Sequence, residues 1–224
     1  MSLRVPVGTL VTQYTESPAE ERANTISHSL GLIFALGVAW PLMARALPLG
    51  PQVAWTIGLF AAAQIFTYLS SALYHGSKPG RARRIFLACD HIAIYWLIAG
   101  TWTPLILLTM DHWFQMAVLL GIWGMALTGT FLRLFRYTDV TGPVLLLYLG
   151  CGWAGIVLLP NIWYTVSPWL PVTVVVGGLL YTVGVAFYLW RSLPFNHLYW
   201  HLFSLAGSLV HFTGIWLLLN WVEA

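Results

Sequence analysis

The chain has 224 residues, of which 59% are hydrophobic and only 8% are charged, and its mean hydropathy is +0.77. A water-soluble protein of this length needs far more charge on its surface, so the composition excludes a soluble globular protein and is typical of a chain that crosses a membrane several times. The net charge of +3 does not indicate a nucleic-acid-binding protein, because the basic residues lie in short segments between apolar runs.

Seven apolar segments of roughly 20 residues follow one another along the chain. A segment of this length crosses the ~30 Å hydrocarbon core of a bilayer as a helix, and a helix satisfies every backbone N–H and C=O group internally. We therefore predict an all-α integral membrane protein, a seven-transmembrane helix bundle in one domain, residues 26–224. The predicted spans are about 27–47, 51–74, 85–109, 113–134, 140–160, 168–190 and 198–221.

The basic residues are distributed unequally between the two sets of connections. Only Arg45 lies in the odd-numbered connections, whereas all the others lie in the N-terminal segment and the even-numbered connections. By the positive-inside rule, the N-terminus with its segment 1–25 is predicted to be cytoplasmic, and the C-terminus to be outside. The basic residues on the predicted cytoplasmic side are Arg4, Arg22, Lys78, Arg81, Arg83, Arg84, Arg133, Arg136 and Arg191.

Five polar residues lie near the predicted cytoplasmic ends of three spans. Ser71 and His75 close the second span, and Asp90 lies near the start of the third. His197 and His201 open the seventh. Because consecutive spans run in opposite directions, all five residues lie in the cytoplasmic half at similar depth. Ionisable groups in apolar segments are costly, so this group is a candidate functional site.

The histidines of this group predict a site for a divalent metal. Histidines four residues apart present two nitrogens on one helix face, as His197 and His201 do. With His75 they make three imidazoles, and three imidazoles with one open position are a usual ligand set of catalytic zinc. Asp90 is the acidic group that could hold or deprotonate a water in the open position. Ser71 could hydrogen-bond this water or a developing oxyanion.

Each of these residues, taken alone, also allows a structural role. Two histidines four residues apart are a weak signal of a metal site. Ser71 could bond a neighbouring helix or its own backbone, and Asp90 could pair with Arg83, Arg84 or His91. The metal prediction therefore depends on the joint position of all five residues at one depth.

A further polar group precedes and enters the first span. Glu20 or Glu21, Asn24 and His28 recur at roughly helical spacing, again at the predicted cytoplasmic end. We predict that Glu20, Asn24 and His28 support the metal ligands from a second layer. The alternative is helix capping, because an acidic residue suits the N-terminus of a helix.

These motifs resemble those of the bacterial hemolysin III family, a branch of the progestin and adipoQ receptor (PAQR) superfamily. They occur in the expected order and in the expected spans, and the resemblance covers essentially the whole chain. The three blocks are Glu-x-x-x-Asn-x-x-x-His (Glu20, Asn24, His28), Ser-x-x-x-His (Ser71, His75) followed by Asp90, and His-x-x-x-His (His197, His201).

The resemblance implies a zinc ion near the cytoplasmic face, held by His75, His197 and His201, with Asp90 and Ser71 at its water. It implies location in the bacterial cell (inner) membrane. It also implies hydrolysis of lipid amides of the ceramide type, so that a membrane lipid is the expected substrate or ligand. A non-enzymatic, lipid-responsive regulator of membrane homeostasis remains an alternative. A haemolytic pore is a further alternative, although no long amphipathic span that would line a pore is seen.

Overall fold

The computed structural model describes residues 16–109, 112–136 and 142–224, which form helices joined by short connections, with no strand in these ranges. Residues 1–15 of the predicted N-terminal segment, and residues 140 and 141 at the predicted start of the fifth span, lie outside the described residues. Short 3-10 helices follow α1 at Leu47–Leu49 and join α5 to α6 at Ala154–Leu158. The α-helices are α1 (Pro18–Ala46), α2 (Pro51–Gly76), α3 (Arg81–Leu107), α4 (Trp113–Arg136), α5 (Gly142–Trp153), α6 (Leu159–Thr165), α7 (Trp169–Leu189) and α8 (Asn196–Glu223).

Seven helical segments in the described part of the chain are long and apolar enough to cross a membrane. The fifth of them runs from Val144 to Thr165 through α5 and α6, and the others correspond to α1, α2, α3, α4, α7 and α8. Large apolar side chains such as Ile33, Trp40 and Leu120 are exposed on their outer faces, as contact with lipid requires. The predicted all-α, seven-span integral membrane fold is confirmed, whereas the orientation of the termini stays a prediction.

The first helix begins at Pro18, well before residue 27, the predicted start of the first span. The N–H of Glu20 donates to the hydroxyl of Ser17 (3.2 Å), and the N–H of Ser17 donates to the Glu20 carboxylate (2.8 Å). These reciprocal bonds form a capping box, and Pro18 suits the first helical position because no N–H is needed there. The polar residues from Glu20 to His28 therefore lie on the first three turns of α1.

The fifth span differs from the single helix predicted over 140–160, because a 3-10 segment interrupts it just before Pro160, a residue that disfavours a continuous α-helix. Proline has no N–H to donate, and its ring collides with the carbonyl group four residues earlier, here that of Ile156. Gly152 and Gly155 further lower the helix propensity of this stretch. The chain therefore passes through a tight 3-10 turn before α6 begins. Trp102 of α3 packs beside Gly155 and donates its indole N–H to the carbonyl oxygen of Gly152 (3.0 Å).

The helices form a closed ring. Neighbours in sequence pack together from α1 to α4, α7 packs against α8, and α8 returns to α1. Helix α5 completes the ring through contacts with α3, α4 and α7. Helices α1, α3 and α8 begin at the end of the ring where α2 finishes. We call this end the histidine end, because His75, His197 and His201 lie there.

An apolar core lies toward the opposite end of the ring. It joins Leu42 of α1, Ile57 of α2, Leu105 of α3, Ile122 of α4 and Leu218 of α8, all of them almost fully buried. Since lipid tails are as apolar as these side chains, close packing rather than exclusion from water stabilises the contacts. This core holds the ring together away from the polar side chains at the histidine end.

The close approach of α2 and α3 gives a test of this packing. A methyl group added at Gly100 would lie 2.9 Å from the Cβ of Ala63 and 3.4 Å from the backbone oxygen of Leu59. We expect Gly100→Ala to lower the free energy of unfolding by about 1–3 kcal/mol, as overpacking does. The control is Gly121→Ala on α4, where nothing lies within 4 Å of the added methyl and a slight gain is expected. Equal stability of the two variants in detergent would contradict this packing.

Candidate metal centre

Three histidines from two helices meet at the histidine end of the bundle. His75 is the penultimate residue of α2, and His197 and His201 lie in the first two turns of α8. One ligand atom from each of the three lies within 4.8 Å of the other two, and their ring centroids are 4.7 to 5.0 Å apart. His75 and His201 are buried, and His197 is partly exposed. This spacing allows one metal ion to contact all three rings.

The first helix and the residue before its cap provide a hydrogen-bond partner for the Nδ1 atom of each histidine. Carboxylate oxygens only accept hydrogen bonds, so two of the rings donate to them at Nδ1. The hydroxyl of Ser27 already donates to the carbonyl oxygen of Asn24 (2.9 Å), so it accepts from His201. In its neutral form each ring then keeps the lone pair of Nε2. The three pairs are His75 with Glu21 (2.7 Å), His197 with Glu16 (2.6 Å) and His201 with Ser27 (3.0 Å).

Glu16 lies between two of the histidines. Its second carboxylate oxygen is 3.8 Å from Nδ1 of His75 and accepts the side-chain N–H of Asn24. Burial acts to raise the pKa of the Glu16 carboxyl, but the combined interactions with His197, His75 and Asn24 outweigh it, and the pKa lies below its ordinary value. Glu16 is therefore ionised at neutral pH and accepts hydrogen bonds at both oxygens.

Glu21 is held by Arg83, which comes from the first turn of α3. The guanidinium group of Arg83 donates to the Glu21 carboxylate and to the carbonyl oxygens of Tyr74 (3.0 Å) and Ser77 (2.8 Å) at the end of α2. It also lies 4.4 Å from the centre of the Tyr74 ring. One side chain thus joins α1, α2 and α3 beside His75.

The three residues predicted to support the ligands lie at the histidine end but make different contacts. Besides capping α1, Glu20 accepts the backbone N–H of Phe195 (2.9 Å) and so joins α1 to the start of α8. Asn24 is buried and holds Glu16. The ring of His28 is stacked on His201, with centroids 3.5 Å apart. Asn24 and His28 therefore adjoin the histidine–carboxylate cluster, and their support of a metal stays a prediction.

Ser71 and Asp90 border a cavity that begins at the histidine cluster. The cavity has a volume of about 120 Å³ and is lined by Ser71, Asp90 and His201 near the cluster, and by apolar side chains such as Trp102 and Leu105 further along. From Asp90 to Leu105 it extends about 22 Å along α3, at 1.5 Å per residue. The hydroxyl of Ser71 is buried and lies near the Asp90 carboxylate, which could accept a hydrogen bond from it.

Asp90 is not among the described residues whose ligand atoms lie close enough together to share an ion with these histidines. It is partly buried and faces the cavity. The structure therefore brings Asp90 and Ser71 to the same cavity as His201, without making Asp90 a member of the ligand cluster.

A separate polar group lies deeper along the same cavity. Tyr68 donates to the hydroxyl of Ser208 (2.6 Å), which also shares a hydrogen bond with Tyr181 (2.7 Å). The Nε2 atom of His211 donates to the carbonyl oxygen of Val174 (3.3 Å). These side chains join α2, α7 and α8 in the middle of the bundle.

Sequence reasoning missed Glu16 and Ser27, which both contact the histidine cluster. Glu16 precedes the first helix, so no helical periodicity could place it. Ser27 stands next to His28 in the sequence but is an unremarkable residue in a helix. The available signal was the concentration of acidic residues just before the first span, at Glu16, Glu20 and Glu21.

The fold and this site define the chain as a seven-helix integral membrane protein with a histidine–carboxylate cluster that could bind a metal ion. The sequence model of the family described as haemolysin-III related matches residues 17–212. The chain therefore belongs to this family, as the sequence motifs predict.

Individual relatives agree with this assignment. The chain is 34% identical over 205 residues to Hemolysin-3 of Bacillus cereus, which covers 90% of this chain and 93% of the relative. It is 33% identical over 196 residues to the Hemolysin-3 homolog of Bacillus subtilis (strain 168), covering 86% and 91%. It is 29% identical over 187 residues to the human Monocyte to macrophage differentiation factor, covering 73% and 68%. This last similarity supports membership of the PAQR superfamily.

The contacts of Arg83 predict that it stabilises the histidine end. We expect Arg83→Gln to lower the free energy of unfolding by about 1–3 kcal/mol, because it removes charge-assisted hydrogen bonds to Glu21 and to two carbonyl oxygens. The matched control is Arg84→Gln, at the exposed neighbouring residue, with an expected change within about 0.5 kcal/mol. Thermal unfolding in detergent measures both variants. A similar loss from both would show that Arg83 acts only through general surface charge.

Proposed function

We propose that this protein is a membrane-embedded zinc hydrolase that cleaves an amide bond in a lipid. The observation that carries this proposal is a cluster of three histidines at one end of a largely apolar cavity inside the bundle. Asp90 and Ser71 border the same cavity. The candidate metal ligands, a carboxylate that could accept a proton and a cavity that suits an acyl chain therefore lie next to one another.

The donor set supports zinc as the metal. Zinc accepts imidazole nitrogens readily, and catalytic zinc sites commonly have three protein ligands and one open position. The Nε2 atom of His75 is buried and has no partner among the described residues, which is costly unless a ligand engages it. His197 and His201 also have their Nδ1 atoms occupied, so Nε2 is the nitrogen through which each would bind an ion.

Asp90 and Ser71 are the proposed catalytic residues. When bound, zinc polarises a carbonyl group and makes water easier to deprotonate. We assign to Asp90 the role of general base that accepts a proton from the attacking water and then delivers it to the leaving amine nitrogen. The buried hydroxyl of Ser71 would donate a hydrogen bond to the oxygen of the substrate carbonyl as negative charge develops there. The water oxygen ends on the acyl carbon, and the C–N bond breaks.

The shape and lining of the cavity support a lipid as the substrate. Its far part is bordered by Leu97, Ile98, Trp102 and Leu105 of α3 and by Leu159 of α6. Such a lining suits an acyl chain, whereas the polar residues lie near the histidine end. A lipid amide placed with its chain along the cavity would bring its carbonyl group to Ser71, Asp90 and the histidines.

We further propose that the histidine end faces the cytoplasm, in the inner membrane of a bacterial cell. At this end, Lys78 lies between α2 and α3, and Arg81, Arg83 and Arg84 lie in the first turn of α3, whereas Arg45 lies at the opposite end. This asymmetry supports a cytoplasmic N-terminus. The similarity to Hemolysin-3 of Bacillus cereus supports a bacterial membrane.

The metal assignment predicts that detergent-purified protein contains about one zinc ion per chain by elemental analysis. His201→Ala should lose most of this zinc, because two ligands hold the ion much more weakly than three. His112→Ala, which alters an exposed histidine before α4, should retain it. Circular dichroism checks that both variants remain helical. Wild-type protein without metal, after purification in zinc-containing buffer, would remove the basis of the proposed function.

The catalytic assignment predicts that zinc-loaded protein releases fatty acid from ceramides or other N-acyl lipids. Asp90→Asn should lower kcat/KM about 10²- to 10⁴-fold, the range for loss of a general base, while zinc content and thermal stability stay unchanged. Glu223→Gln makes the same chemical change at an exposed carboxylate of the opposite end and should have no effect. Mass spectrometry of the released fatty acid measures all three proteins.

Other outcomes would favour the alternative functions. Zinc-loaded wild-type protein that releases no fatty acid from any N-acyl lipid would favour a lipid-responsive regulator in which zinc holds helices together. Leakage from protein-containing vesicles that persists after removal of His75, His197 and His201 would favour a pore.

A further inference from the structure

We propose that Glu16, Glu21 and Ser27 are positioning residues that fix the three histidine rings for metal binding, each through the Nδ1 atom of one ring. This inference rests on the proposed metal site and deepens it. One short stretch of chain, residues 16–27, would orient the ligands from α2 and α8. This stretch contributes none of the three histidines itself.

The chemistry of imidazole explains why a partner at Nδ1 matters. A neutral ring has one N–H and one lone pair, and only the nitrogen with the lone pair can bind a metal. An acceptor opposite Nδ1 holds the proton there and so leaves Nε2 for the ion. It also sets the rotation of the ring, since a flipped ring would turn a C–H toward the acceptor. A carboxylate in this place further increases the basicity of the ligand.

Each acceptor is itself held in place. Glu21 is fixed by the guanidinium group of Arg83, and Glu16 by the side-chain amide of Asn24. The hydroxyl of Ser27 is oriented by its own bond to the carbonyl oxygen of Asn24. Rings whose partners are fixed in this way are preorganised, so that little ordering is needed when the ion binds.

The arrangement also couples the docking of α1 to metal binding. If the first turns of α1 move away, Glu16, Glu21 and Ser27 move with them and all three rings lose their Nδ1 acceptors. Coupling between the docking of α1 and the binding of the ion is reciprocal. A bound ion should therefore hold residues 16–27 against α2 and α8. Amide hydrogen exchange in this stretch should therefore slow when zinc is added.

A purely structural role makes a different prediction. In that case the contacts of Glu16 with His197 and of Glu21 with His75 hold the helices together without reference to a metal. Their removal would then lower the stability of the metal-free protein and leave the affinity for zinc unchanged. Measurement of affinity and stability on the same variants separates the two roles.

The test compares two glutamates at opposite ends of the bundle. Glu21→Gln removes the carboxylate opposite His75, and Glu223→Gln is the matched control, because it makes the same change at an exposed carboxylate whose partner is Arg45. We expect Glu21→Gln to weaken zinc binding about 10- to 100-fold and the control to stay within about 2-fold, measured by competition with a chromophoric chelator in detergent. Glu16→Gln should resemble Glu21→Gln, and Ser27→Ala should weaken binding by releasing His201.

The visible absorption spectrum of bound cobalt provides a second measurement, which a purely structural role of the two glutamates would leave unchanged. Substituted for zinc, cobalt absorbs visible light according to the geometry of its ligands, so the spectrum should change in Glu16→Gln and Glu21→Gln but not in Glu223→Gln. Unchanged affinities and spectra in both variants, with wild-type protein that binds zinc, would overturn this inference alone. Wild-type protein that binds no zinc would overturn the metal site and this inference together.

Discussion

The contact of the first helix with the three histidines is the constraint on which the polar end of this protein depends. Buried imidazoles inside an apolar bundle need partners for their ring nitrogens, because an unpaired polar group away from water is costly. The N-terminal turns of α1 satisfy one nitrogen of each ring through Glu16, Glu21 and Ser27. Three transmembrane helices are thereby joined at one point, and the remaining nitrogens are left for a shared ligand.

The position of this contact follows from the division of the bundle into two ends. Apolar side chains pack the ring closed away from the histidines, and the cavity lies between that core and the cluster. Arg83 takes part in this contact because it lies at the histidine end, where α2 finishes and its backbone carbonyl groups are available to accept. A site for an ion and water is therefore compatible with this end, while the rest of the cavity suits an apolar chain.

The sequence predicts the spans and the depth of the histidines because both depend on local properties. Hydropathy marks each helix, and counting along it places His75 and His201 near the ends of their spans. Helix geometry also distinguishes Glu21 from Glu20 by their directions relative to His28. At about 100° per residue, Glu21 lies within about 20° of His28 around the helix, whereas Glu20 lies about 80° away. The contact of Glu16 with His197 could not be predicted from the sequence, because Glu16 precedes the helix and the contact arises only when α1 packs against α8.

Charge gives a reason for the two carboxylates beside the cluster. Three neutral imidazoles add no negative charge, so a divalent cation among them would bring two positive charges into a region largely screened from water. In the proposed arrangement the carboxylates of Glu16 and Glu21 accept from the Nδ1 side of two rings and would offset these charges from there. In the absence of a cation, hydrogen bonds from His197 and Asn24 hold the Glu16 carboxylate, and Arg83 holds that of Glu21. Both carboxylates are therefore already in place beside two of the rings, where they supply the negative charge that a divalent cation among neutral imidazoles would require.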